Sequence, residues 1–222
     1  MTRNGKKMSK LTIAAFSDTH THHRSVNLPD ADVLVFGGDL MGSGYRHEEV
    51  RDFAAWFCRL EYRHKIIVAG NHDRMFESNK DWCLQQFPRG VTYLENESAD
   101  IEGFKFWGSP VQPWFLDWAF NVHRGAPIKA YWDRIPTDTD VLITHGPPYG
   151  ILDTLHAGRE SLGCEELAKT VEEVVKPAVH IFGHIHGGYG QHVNKNTSFY
   201  NVSICDEQYK PVNKPFLIEL TK

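Results

Sequence analysis

The chain has 222 residues, of which 41% are hydrophobic and 23% are charged, and its net charge is −4. These values are ordinary for a globular protein, and they lack the basic excess typical of proteins that bind long nucleic acids. No apolar run is long enough for a membrane span, and the polar, basic residues 1–10 lack the apolar stretch of a secretory signal.

The histidine and cysteine content favours some kinds of functional site over others. Thirteen histidines are many for this length, and histidine is both the commonest metal ligand and the usual acid–base group near neutral pH. Scattered surface histidines are the alternative. The four cysteines form no CxxC pair, which argues against a zinc ribbon or a disulfide framework and favours reduced thiols in a cytoplasmic protein. We expect residues 1–10 to be a disordered lead-in and residues 11–222 to form a single domain.

Short apolar runs, each followed by a polar or glycine-containing loop, predict a series of β-strands. In chain order these strands are 11–17, 33–36, 65–69, 91–95, 104–107, 141–144, 179–182, 198–203 and 216–220. Several of the runs are continuously apolar, as expected of strands that are buried on both faces.

Helical spacing of apolar residues lies between some of these strands. It predicts an amphipathic helix over 48–60 and a second helix that carries Leu167 and Val171 and ends before Pro177. A short helix is expected over 81–87, and 110–136 is rich in Trp, Phe and Pro without a clear period. Early alternation of strand and helix, with strands clustered later, indicates an α/β protein with one mixed sheet or two sheets.

Side chains of the types that bind metals follow several of the predicted strands. They are Asp18 and His20, then Asp39, then Asn71 with His72 and Asp73, then His145, and finally His184 with His186. Because ligands of open α/β sheets bind at the carboxyl ends of the strands, we expect these residues to meet at one rim.

This set of donor atoms indicates which metals the site would bind, and how many. Carboxylates combined with imidazoles suit Zn, Fe or Mn better than Ca or Mg. The set is also larger than the roughly three protein ligands that one catalytic metal uses. Two metal ions about 3.5–4 Å apart can clamp the attacking and leaving sides of an in-line displacement, as phosphoryl transfer requires.

Taken singly, each of these residues has a structural alternative. Asp18 or Asp39 could cap a turn, and Asp73 could stabilise the turn that follows it. Asn71 could be a turn residue with positive φ, and His145 could be a buried histidine with a satisfied hydrogen bond. The ordered combination, and no single residue, favours a metal site.

The motifs resemble those of the calcineurin-like metallophosphoesterases. The matching segments are Asp18-x-His20, Gly38-Asp39, Gly70-Asn-His-Asp73, His145-Gly and Gly183-His-x-His186. Gly-Asn-His-Asp alone is expected by chance in about one chain in a thousand. Further segments are similar to the MPPED branch, which itself resembles bacterial class III cyclic-nucleotide phosphodiesterases. These segments are Phe106-Trp-Gly-Ser-Pro, Gln112-Pro-Trp-Phe, Thr144-His-Gly-Pro-Pro, Phe182-Gly-His-Ile-His-Gly-Gly-Tyr-Gly and Tyr209-Lys-Pro-Val-Asn.

The resemblance implies a four-layer α/β/β/α sandwich, with two mostly mixed β-sheets flanked by helices, and a site for two divalent or trivalent transition-metal ions (Mn, Fe or Zn). By the family pattern, one metal is held by Asp18, His20 and His186, the second by Asn71, His145 and His184, and Asp39 bridges them. A water or hydroxide between the metals would be the nucleophile. His72 would stabilise the phosphoryl charge or protonate the leaving oxygen, and Asp73 would orient its ring.

The family pattern says less about which residues contact the substrate. His22 and His23 could face the substrate, with exposed loop histidines as the alternative, and Arg74 could meet a phosphate or be a surface arginine. Aromatic residues near 107–120 could stack on a nucleobase or pack in the core.

The resemblance implies a metal-dependent phosphodiesterase that acts on small phosphate esters, with cyclic nucleotides as typical substrates. The alternatives are a phosphomonoesterase or protein phosphatase on the same centre, and a nucleotide-binding protein with weak activity. No membrane partner is expected, and the oligomeric state is left open.

Overall fold

The computed structural model describes residues 9–87, 90–155 and 160–222. Residues 1–8 of the predicted lead-in lie outside the described residues, whereas Lys10 already belongs to the first strand. The strands, numbered along the chain, are Lys10–Phe16 (β1), Val33–Phe36 (β2), His64–Ile67 (β3), Val91–Tyr93 (β4), Glu97–Ile101 (β5), Phe104–Ser109 (β6), Gln112–Pro113 (β7), Asn121–Val122 (β8), Val141–Thr144 (β9), Val179–Phe182 (β10), Gly190–Val193 (β11), Ser198–Asn201 (β12) and Phe216–Thr221 (β13). The α-helices are His47–Arg59 (α1), Arg74–Ser78 (α2), Lys80–Gln85 (α3), Ala126–Trp132 (α4) and Glu165–Lys169 (α5), and α5 continues as a π-helical turn over Thr170–Val175.

These strands form two large mixed sheets. The first sheet has the order β13-β1-β2-β3-β4, in which β1 to β4 are parallel and β13 is antiparallel to β1. The second has the order β11-β12-β10-β9-β6-β5, in which the four inner strands are parallel and the two edge strands are antiparallel to their neighbours. A small third pair joins β7 to β8.

Side-chain alternation along the inner strands explains why the two sheets stack. On β1, Ile13 and Ala15 belong to the core shared by the two sheets, and Ala14 and Phe16 belong to the core on the opposite face. A strand with apolar residues at every position has two faces to bury. The continuously apolar runs therefore place each sheet between its partner sheet and a layer of helices.

The helices complete the two outer layers. Helix α1 buries Val50, Phe53 and Phe57 against the first sheet. On the far face of the second sheet, α4 contributes Trp132 and the segment that follows α5 contributes Val171. The arrangement confirms the expected four-layer α/β/β/α sandwich. Among the described residues, no helix combines the length and the apolar sequence that crossing a membrane would take.

The predicted strands and helices are confirmed with small shifts at their ends, but several peripheral elements were missed. The missed elements are α2, α4, β5, β7, β8 and β11. Both long missed strands are sheet edges with polar sequences, since one of their sides faces solvent, and so they lack an apolar period. The two helices are short, and the first turn of α4 contains a proline, which made its region look irregular.

The two sheets are joined at the carboxyl ends of their parallel strands. Ser17, which follows β1, pairs with Ser203, which follows β12, in a parallel bridge. The Ser17 N–H donates to Val202 O at 3.0 Å, and the Ile204 N–H donates to Ser17 O at 3.0 Å. This connection brings the loops that follow strands of both sheets to one edge of the sandwich.

A buried histidine in β10 leads to a prediction about acid stability. The hydroxyl of Thr144 donates to Gly146 O at 2.7 Å, so it accepts from Nε2–H of His180 at 2.8 Å. His180 Nδ1 has no hydrogen-bond partner among the described residues. Burial lowers the pKa of His180 from 6.5 to about 3. A protonated ring would therefore bury a charge and an unpaired N–H.

Because the folded-state pKa of His180 lies below that of the unfolded chain, the unfolded state takes up the proton first as the pH falls. The stabilisation is complete above pH 6.5 and is lost as the pH drops towards 3. Between pH 7 and pH 5 this side chain should cost about 2 kcal/mol of the free energy of unfolding. His180→Gln keeps a donor for Thr144 and should remove that loss. Urea unfolding of chelator-treated protein at both pH values checks this, and an equal acid loss in both proteins would contradict it.

Candidate metal centre

The structure brings the predicted ligand residues together at the edge where the two sheets meet. Each follows a parallel strand: Asp18 and His20 follow β1, Asp39 follows β2, Asn71 follows β3, His145 follows β9, and His184 and His186 follow β10. The exposure of Asp18, Asp39 and His145 is at most 2%. Buried charges at this density need compensation from opposite charges or from cations.

Four histidine rings are oriented in the same way. Each places its Nδ1 against a backbone carbonyl, which makes Nδ1 the hydrogen-bond donor. The pairs are His20 with Met41 O at 3.1 Å, His145 with Gly37 O at 3.0 Å, His186 with Asp206 O at 2.8 Å, and His72 with Gly42 O. In the neutral ring the lone pair then lies on Nε2, which is how second-sphere carbonyls prepare histidine for metal binding.

The Nε2 atoms turned inward approach other acceptors closely. His20 Nε2 lies 3.2 Å from His186 Nε2, and His145 Nε2 lies 2.9 Å from Asn71 Oδ1. With Nδ1 protonated in each ring, both contacts bring two lone pairs together, which is unfavourable unless a proton or a cation lies between them. Asn71 Oδ1 is also 2.8 Å from His184 Nδ1. The donor set therefore fits cations bound among these atoms.

Among the described residues, potential ligand atoms fall into three overlapping groups, each with all atoms within 4.8 Å of one another. The groups are Asp18 with His20 and His186, Asp39 with His145 and His184, and His20 with Asp39 and His72. The first two match the division between two metals that the sequence motifs imply, and the third joins them through Asp39. The third also places His72 within reach of a bound cation, although the motifs imply a catalytic role for His72 and not a ligand role.

Electrostatics in the centre favour charged carboxylates and divide the imidazoles into neutral and protonated rings. Burial lowers the pKa of His20 to about 4 and that of His184 to about 3, so both rings carry available lone pairs at neutral pH. Burial alone would raise the pKa of Asp39, but the facing His145 holds it well below its usual range. Burial alone would lower the pKa of His145, and the Asp39 charge raises it to about 9.

Asp18 is fixed by a polar network that the sequence motifs did not reveal. The backbone N–H of His184 donates to its Oδ1 at 3.0 Å. The hydroxyls of Ser17 and Ser203 both lie against Oδ2, Ser203 at 2.9 Å. Asn201 Nδ2 donates to Ile185 O at 2.8 Å, which holds the turn between His184 and His186. Ser203 could have been found by applying the strand-end rule to the predicted strand 198–203.

Backbone strain concentrates on the same residues. Asp18, His20, Asp39 and His184 all have positive φ, with values of 52°, 39°, 61° and 66°. Non-glycine residues in this region are uncommon and are tolerated where the surrounding structure fixes them, often at functional sites. A methyl group at Gly70 would overlap Asp39 Oδ1, so the close approach of these loops needs glycine there.

The structure gives Asp73 a different task from the expected one. Its buried carboxylate accepts from three backbone N–H groups, those of Gly70 at 2.8 Å, Asp39 at 2.9 Å and Met41 at 3.0 Å. It does not orient the His72 ring, whose Nδ1 bonds Gly42 O instead. Burial, with repulsion from Asp39, raises the pKa of Asp73 to about 7. Asp73 clamps the two loops that carry Asp39 and Asn71, so the expectation that it orients His72 was wrong.

The His72 ring is held from two further sides. Trp118 stacks on it with ring centroids 4.1 Å apart and planes inclined by 22°. The Gly42 N–H donates to Glu49 Oε2 at 3.0 Å, and this fixes the carbonyl that bonds His72 Nδ1. The Asp39 Oδ1 accepts from the His72 backbone N–H at 2.8 Å. These contacts leave Nε2 as the ring atom available for chemistry.

The residues expected to contact substrate do not line the cavity beside the centre. His22 is exposed and does not line the cavity described below. His23 is 1% exposed, packs on Phe53 and Trp56, and lies 3.2 Å from Asp52 Oδ2. It was not recognisable as a core residue because its neighbours come from helix α1.

Arg74 also differs from the expected phosphate contact. Its guanidinium bonds Asp117 O and lies 5.0 Å from the Trp118 ring centroid and 5.2 Å from that of Tyr45. It does not line the cavity of the centre. Instead the guanidinium packs on Trp118, which in turn stacks on His72. Arg74 therefore contacts the centre only through Trp118.

A cavity of about 570 Å³ opens beside the centre. Asp39, Asn71, His72, His184 and His186 line its base. Its walls carry aromatic and aliphatic side chains from the segment 113–118, together with Leu155, Leu162 and Tyr209. The space suits a small molecule with a polar end and an apolar body.

Comparison with known proteins gives a consistent result. The family model described as calcineurin-like phosphoesterase matches residues 11–188. The chain is 37% identical to metallophosphoesterase domain-containing protein 1 of Homo sapiens over 226 residues, which cover 92% of this chain and 69% of the human protein. It is 35% identical to UPF0046 protein K07C11.7 of Caenorhabditis elegans over 225 residues, covering 96% and 76% of the two chains. These similarities confirm the resemblance seen in the motifs.

Proposed function

The chain belongs to the calcineurin-like phosphoesterase family, and from that premise we propose that it is a metal-dependent phosphodiesterase for small phosphate esters such as cyclic nucleotides. The observation that carries the proposal is the 3.2 Å approach of two Nε2 atoms, those of His20 and His186, beside the carboxylates of Asp18 and Asp39. Lone pairs and negative charges facing one another at this distance are stable when cations bind between them.

The residues divide into two holding groups. Asp18, His20 and His186 would hold one cation, Asn71, His145 and His184 would hold the other, and the Asp39 carboxylate would touch both. Donors of this kind suit Mn, Fe or Zn. When bound, such cations supply Lewis-acid stabilisation of the phosphoryl charge and lower the pKa of a water.

The chain's own side chains then position and protonate the substrate. His72 lines the cavity, and because its Nδ1–H bonds Gly42 O, its Nε2 is the ring nitrogen available to a ligand. We assign this role to the imidazolium form of His72, whose Nε2–H would pass its proton to the leaving oxygen or stabilise the phosphoryl charge while Nδ1–H stays on Gly42 O. Asp73 contributes indirectly, because its clamp on Asp39 and Gly70 fixes the loops beside the reacting group.

Cavity size favours a diester over a monoester. A volume of about 570 Å³ leaves room for substituents on both sides of the phosphorus, and the apolar walls reach beyond the polar base. The four free cysteines support a reducing, cytoplasmic setting. The same centre could hydrolyse a monoester, so turnover of the two substrate types has to be compared.

The test is to measure hydrolysis of bis(4-nitrophenyl) phosphate and 4-nitrophenyl phosphate with added Mn²⁺ and with EDTA, next to 2′,3′- and 3′,5′-cyclic nucleotides. We expect the diester to have the higher kcat/KM, and EDTA to abolish turnover. Preference for the monoester would indicate a phosphomonoesterase. Tight nucleotide binding without turnover would indicate a binding protein, and activity indifferent to EDTA would remove the basis of the proposal.

A further inference from the structure

Several exposed apolar side chains of the described residues lie together around one cavity. Trp114, Phe115 and Leu116 are 53%, 60% and 57% exposed, and Tyr209 is 48% exposed. All four line the cavity that opens beside the candidate metal centre. Scattered exposed hydrophobic residues need no explanation, but a contiguous group beside a polar base marks a binding surface.

The loop that presents these side chains is held in place. Asn121 Nδ2 donates to Phe115 O and Leu116 O, both at 3.1 Å, and Gln112 Nε2 donates to Ala119 O at 2.7 Å. Leu116 has a φ of 51°, a strained value for a leucine. These hydrogen bonds therefore hold the loop in a conformation that keeps its apolar side chains exposed.

Trp114 offers the more accessible ring of the two tryptophans that line the cavity. His123 stacks on it with centroids 5.9 Å apart and planes inclined by 21°, and no other ring contact of Trp114 is found among the described residues. Trp118, in contrast, already contacts two partners, the His72 ring and the guanidinium of Arg74. Trp114 is therefore the ring on which a flat ligand group can stack.

Charges on the cavity wall restrict the ligand further. Arg124 lines the cavity, but its guanidinium bonds Glu165 and the carbonyls of Leu162 and Gly163, at 2.9 and 2.6 Å. An additional anionic group on the ligand would meet a cation whose hydrogen-bond donors are already engaged, so it would gain no new ion pair at this wall.

We propose that this surface is a subsite for an uncharged aromatic group on the substrate, so that the preferred esters carry one phosphorus, a planar organic group and no second anion. The inference rests on the proposed function, because the base of the same cavity would hold the phosphoryl group. The group that occupies the subsite is a part of the substrate, because the aromatic wall, His72 and Asp39 line one continuous cavity.

The experiment uses diesters with a common 4-nitrophenyl leaving group and a different second group: methyl, phenyl or 4-carboxyphenyl. We expect kcat/KM to be about tenfold higher for the phenyl than for the methyl ester, and the carboxyphenyl ester to lose that advantage. Trp114→Ala and, independently, Phe115→Ala should bring the phenyl-to-methyl ratio close to one. Tyr149→Ala removes an exposed aromatic side chain that does not line the cavity and should leave the ratio as in the unmodified protein.

Binding gives a readout that is independent of turnover. Phenyl methylphosphonate should bind more tightly than dimethyl phosphate in calorimetry, and Trp114→Ala should remove the difference. A ratio near one in the unmodified protein, or a ratio unchanged by Trp114→Ala, would overturn the subsite. So would weaker binding of the variant to phosphatidylcholine vesicles with an unchanged ratio, which would assign the surface to membranes. If no diester is hydrolysed but the binding difference persists, the proposed function fails and the subsite stands.

Discussion

Asp39→Asn should reduce phosphodiesterase turnover by about a thousandfold and lower the bound metal content. The Asp39 carboxylate belongs to two of the three candidate ligand groups, so losing its charge weakens both holding sites at once. A metal ion supplies several kcal/mol of transition-state stabilisation, which at about 1.4 kcal/mol per factor of ten gives the stated loss. Elemental analysis of the purified variant and steady-state rates with Mn²⁺ are the measurements.

The asparagine variant is chosen because it removes the negative charge of Asp39 and keeps the size and shape of the side chain. Asp39 Oδ1 also accepts the His72 backbone N–H at 2.8 Å, and the amide oxygen of asparagine can keep that bond. Asp39→Ala, which removes both, should abolish activity and metal loading as well and should also destabilise the loop. Full metal content with normal turnover in Asp39→Asn would show that Asp39 does not touch the cations.

His72→Asn should lower kcat by about a hundredfold or more, the usual contribution of a positioned acid or base, while the metal content stays near that of the unmodified protein. The amide nitrogen of asparagine can replace the Nδ1–H donated to Gly42 O, so the loop geometry is preserved and only the Nε2 position is lost. Metal analysis and single-turnover rates on the same preparation separate binding from chemistry.

Metal content decides between the two roles that His72 can have. The structure groups His72 with His20 and Asp39 as potential ligands, so a variant with an emptied site would show that His72 binds a cation. The matched control is His22→Asn, an equivalent change at an exposed histidine, which should alter neither metal content nor kcat. A His72→Asn protein with normal kcat would refute the catalytic assignment.

Much of the site could be predicted because it depends on local chain properties. A buried parallel strand is visible as an apolar run, and the residue that follows it lies at the carboxyl edge of the sheet. Asp18, Asp39, His145 and His184 were found in this way. The edge strands β5 and β11 were not, because solvent on one side removes the apolar pattern that marks a strand.

Side-chain partners could not be predicted, since they join residues far apart in the chain. Asp73 looked like a partner for the neighbouring His72, yet it accepts from Asp39 and Met41, more than 30 residues away. His23 was expected to face the substrate, but packing of helix α1 buries it against Phe53 and Trp56.

The sequence by itself determined the candidate ligand types, their order and the edge of the sheets where they meet, because strand periodicity and strand-end position are properties of short segments. Only the tertiary structure decided which nitrogen of His145, His20 and His186 faces the centre, since Gly37, Met41 and Asp206 supply the carbonyls that hold Nδ1 from other loops. It also decided that the apolar residues near Trp114 line the same cavity as His72. Long-range packing sets these distances, and no local pattern encodes them.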